Sequence, residues 1–211
     1  MKIRDLYYVA KWGDGKIIDN LISAHTYWIN LNYKRKNKIP WAVFNALRCS
    51  HREIWTPIVT GEDLDFYDVE TNSAYGQCWT STMRFDSTED NKGGVCVRPA
   101  SQVLKHPDRW FYCEKEISDA CYDILIDRMQ SAVHYNLGYE KKLILRYLGI
   151  TIDDPQRYIC SEFCNEMERK IGIGTKSLNP SPFRDALDRW LEGCQFYTMD
   201  GQPLIPAKGN I

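Results

Sequence analysis

Cys160 stands in a sequence context that could support nucleophilic thiol chemistry. In the segment 157–163, Ile159 can end an extended approach, and Ser161 and Glu162 suit the first turn of a helix. A cysteine at a helix start gains from unpaired backbone N–H groups and from the positive end of the helix dipole, which favour its thiolate. The spacing fits a packing thiol equally well, because Cys160 continues an apolar stripe with Phe163, Cys164, Met167 and Ile171.

A base for this thiol is found far upstream, where residues 50–55 should open a strand. Strand alternation places His51 and Glu53 on one face and Arg52 and Ile54 on the other. At about 6–7 Å between backbones, the carboxylate can orient the imidazole. We therefore predict His51 as the base and Glu53 as a third catalytic residue. The other histidines are predicted to be structural: His25, His106 and His134.

Length and composition predict one globular domain spanning residues 1–211, with 44% hydrophobic and 13% aromatic residues. The net charge of −1 gives no overall attraction to nucleic acid or to an anionic membrane. The basic run 34–38 is interpreted as a solvated loop, with a phosphate or cell-wall contact as the alternative.

The eight cysteines show no Cys-x-x-Cys pair, so we expect mostly reduced packing thiols and no metal site. An alternative hypothesis is a Cys/His metal-binding module, which tightly bound zinc in the purified protein would support. The first residues lack an apolar signal region, and no apolar run approaches the roughly 20 residues of a membrane span. These features predict a cytoplasmic protein without a membrane span.

The order of predicted elements favours an α+β fold, because short strands are grouped before helices. Asp200-Gly201 lies between apolar runs and predicts a hairpin. The predicted strands are Arg52–Val59, Phe66–Val69, Gln77–Phe85, Gly94–Arg98 and Trp110–Cys113, with an exposed hairpin loop at 86–94. The predicted helices cover 17–30, 117–132, 139–148, a segment beginning within about two residues of Cys160, and a segment capped by Ser181; Pro155 is predicted to open only a turn.

A further pattern is an ordered set of short segments: Gly13-Asp14-Gly15, Leu21-Ile22, Thr26, Ser50–Glu53, Cys78–Arg84, Ile159–Phe163 and Pro180–Pro182. This set resembles the circularly permuted NlpC-type papain-like family, which includes YiiX-like and many phage-encoded members. The histidine precedes the cysteine by 109 positions, whereas ordinary papain-like enzymes have the reverse order. This chain departs from the family pattern with Arg52, where an aliphatic residue is usual, and with Trp79-Thr80.

The resemblance implies a permuted papain-like fold, with an antiparallel sheet or small barrel packed against helices, and hydrolysis of an amide or peptide through a Cys160 thioester. It implies that no cofactor is needed and that the substrate is a peptide of the bacterial cell wall. It also implies that the protein is part of a phage particle or is present in an infected host. Tyr158 and Trp55 are predicted to line the substrate cleft, with simple packing as the alternative. Two other functions stay open: a lipid acyl hydrolase or acyltransferase, and a catalytically silent interaction or particle protein.

Overall fold

The computed structural model describes residues 1–9, 17–60, 63–65, 67–68, 73–82, 93–135, 137–139, 157–175 and 181–209. Most of the predicted loop at 86–94, all but the first residue of the predicted helix at 139–148, and Pro155 lie outside these residues. No helix in the described part of the chain is long and apolar enough to cross a membrane.

The described secondary structure alternates between strands and helices, with strands predominating up to residue 116. The helices are α1 (Ile17–Lys36), α2 (Trp41–Ala46), α3 (Ala100–Val103), α4 (Asp119–His134), α5 (Cys160–Arg169) and α6 (Pro182–Leu191), with a 3-10 turn at Pro107–Arg109. The strands are β1 (Lys2–Tyr8), β2 (His51–Thr56), β3 (Ile58–Thr60), β4 (Asp63–Asp65), β5 (Tyr67–Asp68), β6 (Ser73–Ala74), β7 (Gln77–Thr82), β8 (Gly94–Pro99), β9 (Trp110–Glu116), β10 (Gly138–Tyr139), β11 (Arg157–Tyr158) and β12 (Phe196–Thr198).

Eight of these strands form one sheet in the order β11-β10-β8-β7-β2-β1-β9-β12. Neighbouring strands are antiparallel, apart from the parallel pair β10 and β11. The predicted α+β class, with an antiparallel sheet packed against helices, is confirmed. The strand predicted over 52–59 is divided between β2 and β3 at Pro57, which has no N–H to donate to a ladder.

Strand β1 is an interior strand of this sheet, between β2 and β9, and sequence reasoning missed it. Its register pairs Tyr8 with His51, and Asp5 with both Ile54 and Cys113. Asp5 is fully buried. A charged residue in an interior strand obscures the apolar alternation by which a strand is recognised.

Five of the six described helices pack on one face of the sheet, and α3 belongs to a smaller core on the other face. Leu6 and Tyr7, adjacent in β1, belong to different cores, since neighbouring strand residues point to opposite faces. The Tyr7 face carries α6 with α1 and α2, and, further along the sheet, α5 with α4. Helix α5 contacts β2 and β7, so it crosses the strand that carries His51.

Two local signals read from the sequence are confirmed. The Ser181 hydroxyl accepts a hydrogen bond from the Arg184 N–H at 3.2 Å and caps α6, as predicted. After β12 the chain reverses at Gly201, whose φ of +78° suits glycine, and the Leu204 N–H then donates to the Phe196 carbonyl. The basic run differs from its prediction, because residues 34–36 form the last turn of α1 instead of a loop.

Candidate active site

Helix α5 begins at Cys160, as the sequence predicts. Ile159 is extended, with φ −88° and ψ 165°, and residues 157–158 form β11, so no continuous helix precedes Cys160 here. The Ile159 N–H donates to Glu162 Oε2 at 3.2 Å, and the first backbone bond of the helix runs from the Phe163 N–H to the Ile159 carbonyl. The N–H of Cys160 therefore precedes the hydrogen-bond ladder and has no acceptor within the helix.

Cys160 lies close enough to His51 for its charge and a hydrogen bond to raise the pKa of the imidazole. Each residue is the first of its element, His51 of β2 and Cys160 of α5. Cys160 is 6% exposed and the His51 side chain 23% exposed, so the pair lies just below the surface. The structure thus brings together the predicted nucleophile and the predicted base, which are 109 positions apart in sequence.

Glu53 lies beside His51 on the same face of β2, as strand alternation predicts. The Nε2 atom of His51 is 3.0 Å from Glu53 Oε1, and the Thr80 hydroxyl oxygen is 3.5 Å from the same nitrogen. Glu53 is fully buried, and its Oε1 also accepts a hydrogen bond from Arg98 Nη2 in β8. Sequence reasoning missed Arg98, because a contact across 45 positions depends on the strand order and leaves no local pattern.

The pKa of His51 reflects two opposing influences. Burial lowers this pKa, but the charge of Cys160 and its hydrogen bond raise it more, together with the hydrogen bond and charge of Glu53. The resulting pKa is about 9, against an ordinary value near 6.5. At neutral pH His51 is therefore protonated.

Arg52, between these two residues in β2, points to the opposite face and is fully buried. Its Nη2 lies 2.9 Å from Asp5 Oδ1 and 2.6 Å from Glu168 Oε2, and its Nε lies 3.3 Å from Asp185 Oδ2. These partners come from β1, α5 and α6. Arg52 therefore packs beneath the helices and away from the His51 side chain.

Lys115 and Arg189 complete this buried ionic cluster. Lys115 Nζ lies 2.5 Å from Asp5 Oδ2 and 2.7 Å from Glu168 Oε1, and Arg189 Nε lies 3.1 Å from Asp5 Oδ2. Three cationic side chains thus face three carboxylates. Burial raises the pKa of Asp5, but Arg52, Lys115 and Arg189 outweigh burial and hold it well below its usual range.

Trp55, predicted to line the substrate cleft, does not do so in this structure, and that prediction is wrong. Its side chain is fully buried, its indole N–H donates to the Tyr75 carbonyl at 2.6 Å, and Arg4 lies over its ring. The tryptophan beside His51 is instead Trp110 at the start of β9, with ring centroids 6.4 Å apart. For Tyr158 the structure describes the backbone in β11 but not the side chain, so that prediction lies outside the described part.

Most of the other cysteines are buried packing thiols. All eight cysteines are free, and six are buried. Burial raises the pKa of several of them well above the usual value, and the charge of Cys160 adds to this effect at Cys49 and Cys164. Cys194 differs, since its hydrogen bond with Cys113 lowers its pKa to about 7. The thiols whose pKa burial raises well above the usual value are Cys49, Cys78, Cys113 and Cys164.

Within the described ranges, no three histidine, cysteine, aspartate or glutamate side chains are grouped so that they could hold a metal ion. Comparison of the chain with protein-family models, with curated proteins and with solved structures finds no match. The class of site is therefore defined by its own geometry: a cysteine at a helix start, in contact with a histidine that a buried carboxylate holds.

Proposed function

We propose that this protein is a thiol hydrolase that cleaves an amide or peptide-like bond, with a circularly permuted papain-like fold. Cys160 is the nucleophile and His51 is its acid–base partner. Glu53 orients the imidazole of His51 and stabilises its protonated form. The observation that carries this proposal is the placement of His51, the first residue of β2, beside Cys160, the first residue of α5, so that Cys160 raises the pKa of the imidazole. Nucleophilic thiol catalysis requires this contact together with a third group that orients the base.

The proposed reaction starts from the thiolate of Cys160 and the imidazolium of His51. The sulfur attacks the acyl carbon, a C–S bond forms, and the carbonyl oxygen takes up the displaced electron pair. The N–H of Cys160, which has no acceptor within its helix, is suited to donate to this oxyanion. The intermediate expels the amine, which takes the proton from His51, and leaves a thioester.

Hydrolysis of the thioester returns the enzyme to its starting state. Neutral His51 accepts a proton from water, whose oxygen attacks the acyl carbon, and the C–S bond breaks to release the acid and the Cys160 thiolate. Glu53 stabilises the imidazolium present at both ends of the cycle, since it is a fully buried carboxylate 3.0 Å from the ring. A peptide from a bacterial cell wall is the substrate that the family resemblance favours.

Alkylation kinetics test this proposal against the alternative that Cys160 is a packing thiol. We expect iodoacetamide at about pH 6 to label Cys160 at least tenfold faster than Cys121, as followed by peptide mass spectrometry. Exposure alone predicts the reverse order, because Cys160 is buried and Cys121 is partly exposed. Loss of the preference in His51→Ala would follow from removal of the ion-pair partner.

A matched control is Cys194→Ser, because Cys194 is a partly exposed thiol whose pKa is lowered to about 7. This variant should leave Cys160 labelling unchanged, whereas Cys160→Ser should abolish both the fast labelling and any release of peptides from bacterial cell walls. Labelling of Cys160 at the rate of Cys49 and Cys164, and indifferent to His51, would show that the site is a packing arrangement. Fast labelling without hydrolysis of any peptide or amide would restrict the claim to a reactive thiol.

A further inference from the structure

Helices α1 and α2 form a basic segment in a chain that is otherwise acidic. No aspartate or glutamate occurs between Asp19 and Glu53. Since the whole chain carries a net charge of −1 and residues 20–50 carry +5, the residues outside this segment carry −6. The basic residues of 20–50 are Lys34, Arg35, Lys36, Lys38 and Arg48.

The same two helices expose large apolar side chains. Trp28 is 62% exposed, and Ile29 and Trp41 are each 54% exposed. In the described part of the chain the other exposed large hydrophobic residues are Ile124 and Tyr135, both at α4. Scattered apolar residues are normal on a surface, but two tryptophans and an isoleucine in one short segment form a patch, which marks an interaction site.

Helical geometry places two of the basic and two of the apolar residues on one face of α1. Arg35 follows Trp28 by seven positions and Lys36 follows Ile29 by seven, close to two full turns in each case, so these four side chains share a face. Trp41 in α2 lies beside the last turn of α1, because the ammonium of Lys34 is 3.9 Å from its ring centroid. We call the exposed side chains of α1, of the link that follows it and of the start of α2 the α1–α2 surface: Trp28, Ile29, Arg35, Lys36, Lys38 and Trp41.

We propose that the α1–α2 surface docks the protein on an anionic lipid bilayer. Indole rings partition into the headgroup region of a membrane, and lysine and arginine beside them bind anionic headgroups. The absence of acidic residues from 20 to 52 removes the repulsion that such a contact would otherwise meet. Exposed Ile29 favours a bilayer over a nucleic acid, since an aliphatic side chain can insert among acyl chains but does not stack on bases.

This proposal does not depend on the chemistry of Cys160. The test therefore uses Cys160→Ser protein, which avoids any reaction of the site during the measurement. Flotation with vesicles of phosphatidylcholine, alone or with about 30% phosphatidylglycerol, measures binding to neutral and anionic bilayers. We expect binding to the anionic vesicles that weakens as salt is raised, and at least tenfold weaker binding to the neutral ones.

Two sets of variants locate the binding surface. Charge reversal of Arg35, Lys36 and Lys38 to glutamate should reduce binding by more than a hundredfold, since each basic residue near an anionic surface contributes roughly fivefold. Trp28→Ala should weaken binding without affecting the fold, because its side chain is mostly exposed. Matched controls at exposed sites elsewhere, Tyr135→Ala and Lys105→Glu, should leave binding unchanged.

Three outcomes would overturn the proposal. The first is no binding to either vesicle, and the second is binding that the α1–α2 variants and the controls alter equally. The third is tight binding of single-stranded DNA that the same α1–α2 variants abolish while vesicle binding is absent, which would assign the surface to nucleic acid. Thermal unfolding of each variant is followed by circular dichroism. A midpoint equal to that of the wild-type protein confirms that a change in binding reflects the surface and not unfolding.

Discussion

Arg52 Nη2 and Glu168 Oε2 lie 2.6 Å apart and join the strand that begins at His51 to the helix that begins at Cys160. Both side chains are fully buried. Arg52 follows His51 directly, and Glu168 is two turns along α5 from Cys160, so the bond fixes the helix against the strand close to the proposed catalytic pair. The ionic cluster therefore positions the two elements on which the site depends.

Replacement of Arg52 by methionine should destabilise the protein strongly. Met retains the apolar stem but leaves Asp5, Glu168 and Asp185 with a cation fewer in a buried setting, and breaking such a pair costs about 3–5 kcal/mol. Urea unfolding at neutral pH, followed by circular dichroism, measures the change in the free energy of unfolding.

Lys170→Met is the matched control for this prediction, since Lys170 pairs with Glu166 at 3.0 Å on the same helix but is 51% exposed. An exposed i, i+4 pair contributes only about 0.3–0.5 kcal/mol. If Arg52→Met cost no more than this control, the cluster would not be holding α5 in place.

The sequence predicted those parts of the site that depend on local patterns. Alternation in β2 placed His51 and Glu53 together, and the residues around Cys160 predicted a helix start there, because both features are decided within a few positions. Arg98 and the Arg52 cluster could not be predicted in this way. Their partners come from strands and helices distant in sequence, and no spacing indicates which strands become neighbours.

Two errors of sequence reasoning have physical causes. Trp55 was assigned to the cleft by its nearness to His51 in sequence, but four strand positions separate them by about 13 Å, and the ring is buried in a core. Strand β1 was missed because Asp5 interrupts its apolar pattern, and only the cations of the cluster make a buried carboxylate tolerable in an interior strand.

Arg98→Gln should destabilise the protein through Glu53. In the described part of the structure, Glu53 Oε1 binds His51 and Arg98, and the carboxylate is fully buried, so loss of the arginine charge should cost on the order of 3 kcal/mol. The double variant Glu53→Gln/Arg98→Gln should recover part of this loss in urea unfolding, because the buried carboxylate that lost its arginine no longer carries a charge. Strictly additive effects of the two substitutions would contradict a direct pairing.

Glu53→Gln should shift the alkaline limb of peptide hydrolysis to lower pH. If His51 must be protonated to release the amine, kcat/KM falls as pH rises through the His51 pKa of about 9. Glutamine keeps the shape of the side chain but removes the charge that helps to raise this pKa. Glu166→Gln, on the solvent side of α5, is the control and should leave the alkaline limb at its wild-type pH. The same pH dependence of kcat/KM in both variants would show that Glu53 does not raise the pKa of His51.

Titration of His51 by NMR tests the ion pair directly and needs no substrate. In protein with isotope-labelled histidine, the His51 signal is identified by its absence in His51→Asn, and its midpoint should lie near pH 9. Cys160→Ala should lower this midpoint well below 9, because the two largest influences that raise the His51 pKa come from Cys160 and burial opposes them. Cys160→Ser should give an intermediate value, since a hydroxyl keeps the hydrogen bond without the charge. A midpoint that is the same in all three proteins would mean that Cys160 carries no charge beside His51, and the thiolate mechanism would then be wrong.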